Sequence, residues 1–305
     1  MRELRALTER MRTVFERAGY GEVYTPALEF ERTDARERAG VSSPYRLFDE
    51  HGNVLVLRSD MTVPIARMAG SRYQHAATPL RFCYFAHVYQ GVRPQRGQPR
   101  EVLQAGVELI GAPGPGGTAE ALTLLCDALE AAGLQRFKVG LGDVALYPSL
   151  LSALDVEPQS QQTILRELAT GDFVGVGREL TRLALAEPDA DLLLRVARMR
   201  GGPELLDGLE GPLREAGTGM HALLSLLEPR VAARLIFDFG LIHSIGYYTG
   251  AIFQVYDPAY GVPLGNGGRY DELLGDYGRS LPAVGFGLDV ERVHIALRAE
   301  ERSRG

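Results

Sequence analysis

Five short segments carry side chains that could meet a small polar ligand. In LRSDMT, residues 57–62, Arg58, Asp60 and Thr62 fall on one face if the chain is extended, because strand side chains alternate. A carboxylate beside a hydroxyl suits an ammonium group; the same triple would also serve as a solvated strand end. In QAGVELIG, residues 104–111, Gln104, Gly106 and Glu108 share one face, with Ala105, Val107 and Leu109 on the other. The apolar stripe packs a sheet onto its core. On the opposite side Gly106 leaves space between an amide and a carboxylate for the floor of a pocket, unless that stripe is simply an exposed polar face. In IGYYTGAIFQVYD, residues 245–257, Tyr247 and Tyr248 are adjacent and so are predicted on opposite faces of a strand, one ring in the core and one hydroxyl toward a ligand. NGGRYDEL, residues 266–273, brings paired glycines that permit close backbone approach, and Arg269 and Asp271, which can pair with each other. AVGFGLDVERV, residues 283–293, reads as a strand, a glycine turn and a helix carrying Arg292.

Other chemistries are excluded by spacing. The six histidines, at 51, 75, 87, 221, 243 and 294, show neither H-E-x-x-H nor H-x-E, so no metal site is expected. There is no G-x-S-x-G nucleophile elbow and no G-x-G-x-x-G in a βαβ context, and Lys138 is the single lysine, which leaves no Gly-Lys pair for a Walker A loop. No cofactor is predicted. Cys83 and Cys126 are too few and too far apart for a disulfide framework and read as buried thiols.

Composition bounds the setting. Lys and Arg number 33 against 39 Asp and Glu, a net charge of −6 that argues against a surface built to neutralise nucleic-acid phosphates. The N-terminus alternates charged and apolar residues, and no run of apolar residues is long enough to span a bilayer. A cytoplasmic protein with neither nucleic-acid nor membrane partner is expected.

The elements that must position these segments follow from periodicity. Leu4, Leu7, Met11, Val14 and Phe15 predict an amphipathic helix ending at Gly19. Strand signals cover 22–25, 54–57, 81–89 and 102–110, and GAPGPGG at 111–117 is a joint before a helix capped by Thr118. Residues 145–230, largely Leu, Ala, Arg and Glu, predict a small helical insertion; β character returns from Leu235, with a glycine-rich turn at Gly265, Gly267 and Gly268. The expected fold is α+β, an antiparallel sheet flanked by helices.

In this order and spacing, the five segments resemble the catalytic domain of class II aminoacyl-tRNA synthetases, in the histidyl branch. GYGEVYTPALE at 19–29 is similar to motif 1, RPQRGQPREVLQAGVELIG at 93–111 to motif 2 and AVGFGLDVERV to motif 3, while IGYYTGAIFQVY and NGGRYDEL are similar to the histidine-binding segments. The resemblance implies one class II core over residues 1–305 and a homodimer through the motif 1 region. It also implies an L-histidine pocket in which Asp60 and Thr62 hold the α-amino group, Gln104 and Glu108 complete the floor, and Tyr247 or Tyr248 meets the imidazole.

The departures from that pattern bear on activity. Gln90 stands where motif 2 has the arginine for the α-phosphate, and His243 where the histidyl signature has its catalytic arginine. Gln98 replaces another motif 2 arginine, and Asp289 replaces a motif 3 glycine, leaving Arg292 to meet a triphosphate. Adenylate formation needs fixed positive charge on phosphate oxygens, which an amide and a mostly neutral imidazole do not supply. A kept amino-acid pocket without activation machinery resembles the regulatory subunits of ATP phosphoribosyltransferase. That resemblance implies a non-catalytic partner of the short catalytic chain in a hetero-octamer, needed for activity and for feedback inhibition in the first step of histidine biosynthesis. Arg292 lies 13 residues before the end, so no anticodon-binding domain is expected within this sequence. The alternatives are an amino-acid-activating histidyl-tRNA synthetase-like enzyme and a tRNA-binding protein.

Overall fold

The computed structural model describes residues 2–31, 44–91, 99–242 and 246–304. Helix α1 (Arg2–Arg17) buries Leu7, Met11 and Phe15, the apolar face predicted from their spacing, and Gly19 at φ +82° reverses the chain after it. Strand β1 (Gly21–Glu22) follows, then a small sheet of β2 (Leu28–Phe30), β3 (Arg46–Phe48) and β4 (Val54–Leu57), in the order β2-β4-β3. Helix α2 (Thr62–Ser71) leads into the long hairpin strands β5 (Leu80–Tyr89) and β6 (Glu101–Ile110). Helix α3 (Gly116–Ala132) precedes β7 (Lys138–Asp143).

The stretch from 146 to 232 is mainly helical: α4 (Leu146–Ala153), α5 (Pro158–Thr170), α6 (Phe173–Arg182), α7 (Glu187–Val196), α8 (Glu204–Asp207), α9 (Leu213–Ser225) and α10 (Pro229–Ala232). It also holds β8 (Arg200–Gly201), which pairs with β9 (Leu235–Asp238) at the edge of the main sheet. Strands β10 (Ala251–Tyr256), β11 (Gly265–Arg269) and β12 (Ala283–Asp289) then fill the sheet, a 3₁₀ turn (Leu273–Tyr277) lies between the last two, and α11 (Val290–Arg304) closes the described chain.

Among the described residues the main sheet has nine strands in the order β1-β5-β6-β12-β11-β10-β7-β9-β8. Its pairs are antiparallel except β1 with β5 and β7 with β9. The sheet separates two cores, and the period-two alternation of β6 serves both. Ala105, Val107 and Leu109 join α1, α3 and the helices after β7 on one side; Ile110, with Tyr84 of β5, packs against Met61 and Ile65 of the α2 segment and Leu274 of the 3₁₀ turn on the other. Burying side chains of this size contributes roughly 1.5–3 kcal/mol each, so both faces of the strands carrying the candidate site are held by packing. No helix among the described residues is long and apolar enough to cross a membrane.

The glycines of the 265–268 segment form a strand and not a turn. A Cβ on Gly265 or Gly267 would lie 2.4 Å from the carbonyl oxygen of Gly287 or Gly285, and one on Gly268 would lie 2.8 Å from the Tyr248 ring. They are small because β12 and two aromatic rings press on the strand, not because the chain bends there. Thr118 likewise is not a cap: α3 begins at Gly116, and the buried Thr118 hydroxyl accepts from the guanidinium of Arg269 at 3.3 Å.

Candidate functional site

The five segments converge, with different local geometry than an extended chain would give. Strand β4 ends at Leu57, and Arg58 turns away: its guanidinium donates to the carbonyls of His87 at 2.8 Å and Thr25 at 2.6 Å, tying the small sheet to β5. Arg58 is therefore a staple, and Asp60 and Thr62 sit at the start of α2. The Asp60 carboxylate accepts the Val63 N–H at 2.9 Å, satisfying one of the free donors of the first helical turn. Thr62 donates its hydroxyl to Glu108 Oε1 at 2.6 Å.

Glu108 is the centre of the cluster and is only 1% exposed. Tyr270 donates to its second carboxylate oxygen. Space for that carboxylate comes from the strand opposite: Gly285 pairs with Glu108, and a Cβ there would lie 1.8 Å from Glu108 Oε2. Burial pushes the Glu108 carboxyl up to about 8, against the downward pull of the Thr62 and Tyr270 hydroxyls and with a further push from Asp60. Desolvation also lifts Asp60 above the ordinary aspartate range, opposed by the Val63 N–H and reinforced by Glu29.

Above this cluster lies a pocket of about 80 Å³ whose lining includes Asp60, Thr62, Gln104, Tyr247 and Tyr248. Glu108 lies just beneath, reached through Thr62 and Tyr270. Tyr247 and Tyr248 do not take opposite faces as expected. They precede β10 in a turn, and both rings line the pocket, edge to face with centroids 5.1 Å apart. Tyr248 accepts a long hydrogen bond from Asn266 at 3.5 Å. Its ring also borders a second, larger cavity of about 490 Å³ between Asp143, Tyr147 and helix α5.

Gly106 does not open the floor to a ligand. The Tyr84 ring fills that space, since a Cβ on Gly106 would lie 2.4 Å from the Tyr84 hydroxyl. Tyr84, Tyr270, Asn266 and Gly285 are among the pocket residues that sequence reading missed. A signal existed for one: in a paired hairpin, a glycine in an otherwise bulky stripe marks where an aromatic from the neighbouring strand crosses.

The other end of the pocket is marked by Gln90, which also lines it. Asp289 ends β12, where it pairs in register with Gln104, and Arg292 lies in the first turn of α11. The Arg292 guanidinium is engaged by the Asp289 carboxylate at 3.0 Å and donates to the Pro263 carbonyl at 2.9 Å. Burial raises Asp289, and the Arg292 backbone N–H and guanidinium counter the rise. Arg269 and Asp271 form a 2.7 Å pair that also holds Thr118 and the Ala283 N–H, so they brace β11 against β12 and α3. His243 and Gln98 lie outside the described residues. Among the described residues no cluster of three or more His, Cys, Asp or Glu could hold a metal ion.

The family model for histidyl-tRNA synthetase matches residues 1–293. An ATP phosphoribosyltransferase regulatory subunit from Symbiobacterium thermophilum is 37% identical over 301 residues, covering 96% of this chain and 75% of its own. One from Moorella thermoacetica is 38% identical over 301 residues, covering 96% and 77%. The solved ATP phosphoribosyltransferase regulatory subunit/histidyl-tRNA synthetase from Bacillus halodurans superposes with a TM-score of 0.89 at 33% identity, over 97% of this chain and 79% of that one. A histidine–tRNA ligase subunit from Alicyclobacillus acidocaldarius gives 0.78 at 32% identity, over 98% and 94%. The α+β core with the class II synthetase fold, read first from motif order, is thus established, and the chain belongs to the family of ATP phosphoribosyltransferase regulatory subunits.

Proposed function

We propose that this chain acts without catalysing a reaction itself, as the subunit that activates a short catalytic ATP phosphoribosyltransferase and makes it sensitive to L-histidine. The observation that carries this reading is the contrast within one pocket. Its amino-acid end keeps Asp60, Thr62 and the tyrosines over a Glu108 that Thr62 and Tyr270 hold, while its other end offers the amide of Gln90, and Arg292, outside the lining, is already paired with Asp289. Stabilising the charge that develops on phosphate needs fixed donors and cations, and these residues do not provide it. Binding of histidine therefore has its partners, and activation of histidine does not.

In this reading Asp60 pairs with the α-ammonium group, Thr62 and Glu108 with Tyr270 form the polar floor, Gln104 flanks it and the Tyr247 and Tyr248 rings enclose the imidazole. Inhibition then follows if histidine binds one state of the assembled complex more tightly than the other. Assembly would use the small sheet. Tyr24 of the motif 1 segment, Phe30 at the end of β2 and Phe48 at the end of β3 are 80%, 66% and 74% exposed, apolar side chains suited to a homodimer contact that a hetero-octamer with catalytic chains would retain. The helical stretch 145–230 is then an insertion in a single core and not a domain of its own. Mixing the purified chain with the short catalytic enzyme tests the function. Turnover should rise and become histidine-sensitive, and an unchanged rate with unchanged sensitivity would refute the assignment.

A further inference from the structure

Away from the ligand pocket, the fold buries two carboxyls against each other. Asp257, on the turn after β10, is 1% exposed, and Glu300, near the end of α11, is 0% exposed. Asp257 Oδ1 accepts the Ala259 N–H at 2.8 Å, while its buried Oδ2 receives no donor among the described residues. Glu300 Oε1 accepts the backbone N–H groups of Arg136 at 2.8 Å and Gln135 at 3.1 Å. The two side chains stand within hydrogen-bonding reach of each other. Ionised carboxylates can only accept, so two of them in contact leave the facing oxygens unsatisfied; one proton turns the same contact into a hydrogen bond. Burying the pair without that proton would be among the costliest choices open to a fold.

The donors already in place decide where the proton sits. Two backbone N–H groups favour the charged form of Glu300, whereas Asp257 Oδ2 has no donor to hold a charge. We propose that Asp257 is protonated in the folded chain and donates through Oδ2 to Glu300, a one-proton clip that fastens α11 to the turn after β10. No covalent bond forms or breaks, and solvent supplies the proton. Burial raises the Asp257 carboxyl above the ordinary aspartate range; the Ala259 N–H opposes the rise, Glu300 adds to it and Arg136 opposes it. Arg136, from the segment before β7, faces the pair as a cation, and its guanidinium donates to Ser303 of α11 at 3.5 Å. A second contact joins the same two elements, since Arg292, about two turns earlier on α11, donates to Pro263. The connection so held leads into β11, which carries Asn266 of the ligand pocket. Loss of the proton therefore frees the far end of α11, while Arg292 keeps its start in place.

The sign follows from linkage. A carboxyl raised by folding stabilises fully below its unfolded value, about 3.9 for aspartate, and that stability is lost as pH rises through the folded value. While the folded chain holds one proton more than the unfolded chain, the folding equilibrium falls by up to about tenfold per pH unit.

The test is urea unfolding of the full chain from about pH 5 to about pH 9, in a Glu108→Gln background so that Glu108 does not titrate. This parent should lose stability as pH rises, by up to about tenfold in the folding equilibrium per unit. Asp257→Asn keeps an acceptor for Ala259 and donates permanently to Glu300, so its profile should lack that fall. Glu300→Gln is the second variant, with its amide oxygen on the Gln135 and Arg136 N–H groups and its amide hydrogen on Asp257. Hydrogen exchange locates the effect: at about pH 9 the amides of 297–301 should exchange about tenfold faster in the parent than in Asp257→Asn, with those beside Arg292 unchanged. A flat parent profile, parallel profiles for parent and variants, or equal exchange at 297–301 would overturn the proposal. So would stabilisation of the parent, and not of Asp257→Asn, by magnesium or calcium across the whole range, which would put a metal cation where the proton is placed.

Discussion

The two ends of the pocket lie on the same strands yet were shaped by opposite demands. At the Glu108 end, Thr62, Glu108 and Tyr270 satisfy one another, and neighbouring residues are reduced to glycine to make room: Gly285 accommodates the carboxylate, Gly268 the Tyr248 ring. At the Gln104 end, the charged residues satisfy each other, Asp289 with Arg292, and the position expected to carry a phosphate-binding arginine holds Gln90. On the proposed function, the difference means that recognition and activation are separated by residues at strand ends, without change to the sheet that positions both. A buried hydrogen-bonded cluster is costly to leave half-satisfied, so Thr62, Glu108 and Tyr270 hold one another in place.

The comparison can be broken most severely at Glu108. Glu108→Ala should weaken L-histidine binding by about 100-fold or more, because it removes the acceptor of two buried hydroxyls along with the ligand's floor. Histidine inhibition of the partner should vanish while its basal activation persists, as read from titration and from mixed-subunit rates. Gly285→Ala attacks the same end by sterics alone. Its Cβ would occupy the place of Glu108 Oε2, so histidine affinity should fall by roughly tenfold or more with the circular dichroism spectrum retained.

The nucleotide end should respond less. Asp289→Gly frees Arg292 and should strengthen binding of ATP by about tenfold at most, measurable by fluorescence of a nucleotide analogue, since one guanidinium regains one phosphate. With Asp289 kept, Gln90→Arg together with His243→Arg should yield no adenylate; measurable adenylate from that double variant would mean that those two positions alone had silenced the site.

Stability carries a smaller signal of the same contrast. The folded-state pKa of Glu108, about 8, stands above the roughly 4.3 of an unfolded glutamate, so the fold prefers the protonated form. The stability linked to it is complete below about 4.3 and is lost progressively as pH rises toward about 8. Glu108→Gln should therefore gain in melting temperature on the wild type as pH climbs through that window, in thermal scans without ligand.

Much of this was legible in the sequence because strand β6 alternates, which places Gln104 and Glu108 on one face and Ala105, Val107 and Leu109 against a core. The helix face of α1 was legible for the same reason. What local pattern could not supply was register across strands. Tyr84 filling the space at Gly106, and Gly285 opposite Glu108, are facts of pairing between segments distant in sequence. Composition gives the same signal for a bend and for a crowded strand, so the glycines at 265–268 read as a turn and form a strand. Tyr247 and Tyr248 would take opposite faces only in a strand, and the chain turns there.

The central claim, that an amino-acid pocket persists here without amino-acid activation, is tested most directly by histidine-dependent exchange of labelled pyrophosphate into ATP on the purified chain. The account predicts no exchange above background even at histidine concentrations that saturate the pocket by calorimetry. Exchange that depends on histidine and is lost in Glu108→Ala would contradict it.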